Sequence, residues 1–245
     1  MQVCLNGARG AGDGAAVPLS PRALGESAAE AVAAGARDVH VHPKSPCGKD
    51  SLAPGAVAAT LAAVRSAVAA LSLREAVPVG VTTGAWAEPD PAARVARIRE
   101  WTVLPDHASV NWHEPGAEEV ARALLDRGVG VEAGIWSGTD GAARFAASPL
   151  GPRVLRVLAE VTEHDAGAAE AAAVGLLAEI GGAWGRPVLL HGEEGGAWPV
   201  LALAARRGLA SRVGLEDTLV LPDGRRARSN AELVSAALAL PAAGP

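Results

Sequence analysis

The sequence predicts an α/β protein folded as a (β/α)₈ barrel, and three observations carry that prediction. Short apolar runs alternate with longer segments rich in Ala, Leu, Arg and Glu along the chain, as repeated βα units around a parallel sheet do. Eight such units fit within 245 residues, which favours a closed barrel over a doubly wound sheet. Polar side chains recur at the carboxyl ends of nearly all the apolar runs, where barrel enzymes keep their chemistry. No shift in composition marks a boundary, so residues 1–245 are expected to form one barrel domain.

The elements follow in order. Residues 2–6 are the first expected strand, and the first helix, 21–34, begins at Ser20-Pro21, an N-cap followed by proline at the first helical position. Strand 38–42 leads to helix 54–71, strand 77–81 to helix 91–101, strand 108–111 to helix 117–127. Glycines close helices in "AAGARDVHV" and "DRGVGVEAG". Strand 130–133 precedes a short helical stretch at 138–147. The last three units pair strand 154–161 with helix 166–180, strand 187–190 with helix 197–207, and strand 213–216 with helix 230–240.

Composition narrows the function. Hydrophobic residues make up 49% of the chain and the formal net charge is −5, so there is no general attraction to nucleic acid or to an anionic membrane surface. No apolar run reaches the roughly 18 residues of a membrane span. The opening "MQVCLNGARG" lacks a charged-then-apolar signal pattern, which predicts a cytoplasmic protein. Cys4 and Cys47 are expected to be reduced.

The stretch "VHVHPKSPCGKDSL" places His40 and His42 one residue apart at a strand end. Residues i and i+2 of a strand share a face, about 6–7 Å apart. If that face is the barrel interior, two imidazoles converge on one point, and imidazole suits Zn²⁺. The same spacing also fits two surface or hydrogen-bonded core histidines. In "RVGLEDTLVLPDG" Glu216 offers a carboxylate to complete a two-histidine, one-carboxylate set that leaves positions open for substrate. Asp217 points elsewhere, and Arg212 on the same strand would keep it ionised. An acidic pair capping the next loop is the plainer reading. Other polar strand-end residues are Asn6, Thr82, Thr83, Asn111, Glu132 and His191. "GVTTGAW" suits either a carboxylate site or an ordinary hydroxyl-bearing turn. His107 has no partner by spacing and reads as structural.

"LNGAR", "GARDVHVHP", "PVGVTTGAW", "VEAGIWSG" and "RVGLEDTLVLPDGRRARSNAELV" together resemble the β-keto acid cleavage enzyme family, in chain order from residue 2 to about 240. The resemblance implies a metal-binding (β/α)₈ barrel, usually with zinc, that converts a β-keto acid and acetyl-CoA to acetoacetate and a new acyl-CoA. It implies His40, His42 and Glu216 as metal ligands and Arg212 with Asp217 as a catalytic dyad. Thr82 falls on the family's substrate-contacting serine, Gly84 and Ala85 on its glycine pair, and Ser109 with Asn111 on its T-x-N. Arg9 stands where the founding enzyme has a glutamate that holds a substrate ammonium group, which implies an anionic or neutral substrate. Asn6, Arg9, Ala85, Ser109, Asn111, Glu132 and His191 are thus the expected substrate contacts, with Zn²⁺ as cofactor and acetyl-CoA as co-substrate. The resemblance also implies a homo-oligomer, tetramer or dimer. A zinc-dependent barrel hydrolase and a non-catalytic metal- or ligand-binding barrel are the rival readings.

Overall fold

The computed structural model describes residues 1–14 and 16–240. Eight parallel strands alternate with eight helices. They are β1 (Gln2–Cys4), α1 (Pro21–Ala33), β2 (Asp38–Val41), α2 (Pro54–Ala69), β3 (Val79–Thr82), α3 (Pro91–Glu100), β4 (His107–Asn111) and α4 (Ala117–Leu125), then β5 (Gly130–Trp136), α5 (Gly141–Ala147), β6 (Arg156–Val161), α6 (Ala166–Ile180), β7 (Val188–Gly192), α7 (Ala197–Arg206), β8 (Arg212–Val213) and α8 (Asn230–Leu238). The strands neighbour one another in chain order from β1 to β7, with β8 on the other side of β1. A parallel bridge between Leu189 and Ala210 brings β7 to the segment that enters β8, so the ring closes as the predicted (β/α)₈ barrel.

The helices start where the sequence supplies caps. Ser20, Asp90, Asp165 and Ser229 each accept backbone N–H groups of the first turn, satisfying donors that the helix leaves unpaired. Strand boundaries moved for local reasons. β3 begins at Val79 rather than 77, because Pro78 has no N–H to give a ladder. β6 begins at Arg156 rather than 154, after a 3₁₀ turn at Gly151–Arg153. β5 runs on past 133 to Trp136. Gly134 is buried in its middle, where a Cβ would meet Asn111 Oδ1 at 2.6 Å and Glu160 Oε1 at 2.8 Å. β8 is only two residues long, and Glu216 and Asp217 lie on the turn after it.

The two faces of the strands differ sharply. Val39, Val41, Val79, Val81, Val131, Ile135, Val157 and Val161 are buried in the apolar core between sheet and helices. The alternate positions face the lumen, and there the register aligns Gln2 with Asp38 and Arg212, Thr82 with Ser109, Ser109 with Glu132, and Glu160 with His191. The lumen of this barrel is therefore polar, where branched apolar layers are the usual filling. Each buried charge in it needs partners, since an unpaired one is costly. No helix among the described residues is long and apolar enough to cross a membrane.

Candidate metal and catalytic site

The structure brings His40, His42 and Glu216 together, with one donor atom from each lying within 4.8 Å of the others. Nε2 of His40 is 3.9 Å from Glu216 Oε2, and Nε2 of His42 is 3.6 Å from Glu216 Oε1. Bonds of about 2.0–2.2 Å at tetrahedral angles would set donors roughly 3.3–3.6 Å apart, so a small inward shift suits a divalent ion. Glu216 Oε2 is buried with no hydrogen-bond partner. The donor set, two imidazoles and a carboxylate, is one that zinc and related metals take.

Both rings are backed on their far side. His42 Nδ1 lies 3.2 Å from Asp50 Oδ2, and His40 Nδ1 lies 4.0 Å from Glu132 Oε2. Asp50 is in turn bound by Lys44 at 2.5 Å. Trp86 stacks on His42, with centroids 5.8 Å apart and planes 7° from parallel. Asn6 clamps the strand end: its amide donates to His42 O and accepts from His42 N–H, both at 2.9 Å. Gly7 holds φ at 54°, and a Cβ there would meet Glu216 Cγ at 2.5 Å. Burial drives the His40 pKa down to about 4, with Glu216 opposing. At His42 burial also pulls down, but Glu216 and the hydrogen bond to Asp50 outweigh it and raise the value to about 9. Burial would lift the Glu216 carboxyl, yet Arg212 and the two histidines hold it well below the usual range.

Asp217 lies beside this set and points elsewhere, as adjacent residues do. It is almost fully buried, 3.2 Å from Arg212 and 3.3 Å from His191 Nδ1, both measured to Oδ1. The same Arg212 nitrogen lies 3.0 Å from Glu216 Oε1 and 4.0 Å from Glu160 Oε2. Thr82 and Ser109 are neighbours on adjacent strands on the lumen face, and Thr82 Oγ1 accepts from Gly84 N–H at 3.2 Å.

Several expected substrate contacts have other partners. Asn6 is occupied by the His42 backbone. The Ala85 N–H donates to both Glu114 carboxylate oxygens at 3.0 Å. Asn111 donates to Glu114 and accepts from Trp136 Nε1, and Glu114 itself is clasped by buried Arg94. His191 lies between Glu160 and Asp217. Glu132 is not at a strand end, because β5 continues four residues beyond it. It lies deeper in the lumen, where Gln2 and Arg156 donate to it and His107 Nδ1 is 3.1 Å away. His107 also reaches Asp38 at 2.9 Å. Burial lowers the His107 pKa, but Glu132 and Asp38 outweigh it and bring it to about 10. His107, which has no partner by spacing in the sequence, thus lies between two acids and bridges them.

Above the site, Ala8, Arg9, Trp86, Trp136, Glu160, Glu193 and Glu194 line a cavity of about 390 Å³ that opens onto His42 and Glu216. Arg9 does not stand free in it. Its Nε donates to Leu215 O at 2.6 Å, and its terminal nitrogen pairs with Glu194 at 2.5 Å. The expectation that Arg9 selects against a cationic substrate loses its basis, because Glu194 offsets its charge. Glu193 lines the same mouth and makes no salt bridge among the described residues. Burial raises its pKa, with Glu160 adding to the effect.

Sequence reasoning missed Asp50, Glu114, Glu160 and Glu193. Asp50 alone had a local signal: "KSPCGKD" is a Pro/Gly turn that returns the chain to Lys44 through an antiparallel bridge.

The family model described as BKACE, beta-keto acid cleavage enzyme, matches residues 1–143 and 160–243. No curated protein matches the chain. Among solved structures, the ternary complex of ObcA with C4-CoA adduct and oxalate superposes with a TM-score of 0.67 at 18% identity, covering 90% of this chain. This chain spans 62% of that one's length. A type I 3-dehydroquinate dehydratase from Clostridium difficile gives 0.60 at 13% identity, with 97% of this chain and 90% of that chain covered. The homocysteine methyltransferase MmuM from Escherichia coli gives 0.57 at 15%, with 96% and 94% covered. At these identities the structures share the fold.

Proposed function

Because the chain belongs to the β-keto acid cleavage enzyme family, we propose that it is a divalent-metal-dependent acyltransferase that converts a β-keto acid and acetyl-CoA to acetoacetate and a new acyl-CoA. The observation that carries this reading is the convergence of His40, His42 and Glu216 with the Arg212–Asp217 pair directly beside them. Those three residues would hold the metal, which when bound supplies Lewis-acid polarisation of the keto oxygen.

The residues of the chain then divide the work. Asp217 removes a proton from C2 of the keto acid, general-base help typically worth about 10²–10⁴-fold. Arg212, 3.2 Å from Asp217, helps to orient its carboxylate. The C2 carbanion adds to the thioester carbonyl of acetyl-CoA and releases the CoA thiolate. The thiolate adds to the original ketone, the C2–C3 bond breaks, Asp217 returns its proton to C2, and acyl-CoA and acetoacetate separate. Thr82 and Ser109, register partners on the lumen face, orient the substrate carboxylate. The mouth between Arg9, Trp86, Trp136 and Glu193 receives the variable end of the keto acid.

The test is acetoacetate formation by zinc-loaded protein from cationic, neutral and anionic β-keto acids, each with and without acetyl-CoA. Product that requires both metal and acetyl-CoA supports the reading. Keto acid consumed with water alone would make the protein a hydrolase. No product from any acid, with metal bound, would overturn the proposal.

A further inference from the structure

The Asp217 carboxylate has two contacts, and both fall on one oxygen. Arg212 and His191 each approach Oδ1, at 3.2 and 3.3 Å, and both carboxylate oxygens are buried. Arg212 alone is a poor positioner, because the same terminal nitrogen also serves Glu216 and Glu160. His191 is a better one. Its ring is 1% exposed, with Nδ1 toward Asp217 and Nε2 3.5 Å from Glu160 Oε2. Glu160 and His191 are register partners on β6 and β7, so the sheet itself sets that pair. The ring nitrogens face these two carboxylates at 3.3 and 3.5 Å, and both are buried. An imidazole buried this deeply is costly unless both nitrogens are paired, and the two carboxylates are the groups placed to pair them.

We infer that His191 is a positioning residue for Asp217, held in its own orientation by Glu160, so that the carboxylate is fixed in place to take the substrate proton. Three consecutive strand ends, β6, β7 and the turn after β8, thereby hold one carboxylate in place. The arrangement repeats, on a carboxylate base, the way a nucleophile is oriented by a base that is itself oriented by a third group. The raised pKa of His191, about 9, agrees with a ring that donates from both nitrogens. Burial and Arg212 oppose that rise, and Asp217 and Glu160 drive it. This role rests on the reading of Asp217 as the base in a keto acid cleavage.

The two amide substitutions separate a positioning role from packing. The Asn side-chain nitrogen falls near the position of His Nδ1, and that of Gln near Nε2. His191→Asn keeps a donor toward Asp217 and is expected to retain kcat within about threefold. His191→Gln keeps only the donor toward Glu160, and His191→Ala keeps neither. Both are expected to lose about 10–100-fold in kcat, the usual scale for losing a supporting hydrogen bond, with KM and bound metal unchanged. Glu160→Gln is expected to fall between. Full kcat in His191→Gln, or equal losses in the Asn and Gln variants, would overturn the inference and leave the cleavage reading intact. The contact itself is read without turnover, from the downfield ring N–H resonance of His191 in proton NMR of the metal-loaded protein. A shift of that resonance in Asp217→Asn upholds the contact and no shift overturns it. A wild type that forms no acetoacetate counts against the cleavage reading alone.

Discussion

Asp50 lies 3.2 Å from Nδ1 of His42, on the opposite side of the ring from Glu216. A carboxylate placed there fixes the tautomer that exposes Nε2 and makes the imidazole a better donor. Asp50→Asn is expected to weaken zinc affinity by about 10–100-fold, measured by competition with a chromogenic chelator. His42→Ala is expected to abolish stoichiometric binding. An Asp50→Asn protein with wild-type affinity would show that the ring needs no outer partner.

Asp217 and Glu216 are adjacent, yet only Glu216 belongs to the donor set. Asp217→Asn is therefore expected to keep one metal per chain by elemental analysis while turnover falls about 10²–10⁴-fold. Full turnover with metal retained would remove Asp217 from the chemistry.

His107 gives stability a defined pH dependence. Its pKa is about 10 in the fold and about 6.5 in the unfolded chain. A group raised on folding stabilises fully below its unfolded pKa, and that contribution is lost as pH rises toward the folded value. Between these limits the native state holds the extra proton, so the His107 contribution declines by up to about 1.4 kcal/mol per pH unit. His107→Gln removes it. The stability gap between wild type and variant, from denaturant midpoints, is expected to be largest near pH 6 and to narrow toward pH 10. A gap that stays constant across this range would mean that the ring is neutral.

Gly80 owes its identity to the same ring. A Cβ at position 80 would sit 2.0 Å from His107 Cε1 and 2.1 Å from Nδ1, and Asp38 and Glu132 hold the ring where it is. Gly80→Ala is expected to destabilise by about 1–3 kcal/mol through overpacking and to lower Tm by several degrees. Adding His107→Ala should recover part of the loss in thermal unfolding. No recovery would place the strain elsewhere.

The parts of the site that the sequence disclosed are those set by short range. His40 and His42 share a strand face at any register, and Glu216 and Asp217 follow an apolar run, so their convergence needed only the assumption of a barrel. Lumen partners are a matter of register between strands distant in sequence. His107 meets Asp38 and Glu132 only because β2, β4 and β5 face one interior, and Glu160 meets His191 only because β6 and β7 align them. Nothing local marks those pairs. The same limit explains Asn6, Asn111 and Arg9: each residue type suits substrate binding, but their amide and guanidinium groups bind the protein itself. β5 runs three residues past the expected end at 133, and Gly134 within it is a point of close approach to Asn111 and Glu160.

The donor set straddles the seam of the ring. His40 and His42 stand on β2, Glu216 follows β8, and Arg9, after β1, ties itself to Leu215 across 206 positions of sequence. A nascent or truncated chain that stops short of β8 holds seven staves and lacks Glu216, so its donor set is incomplete. Such distant contacts form slowly and late, so in refolding the capacity to chelate should appear only with the final closure of the barrel. The time course of metal capture then serves as a clock for that last event. β8, with two residues of ladder, is the stave whose fraying would open the site first.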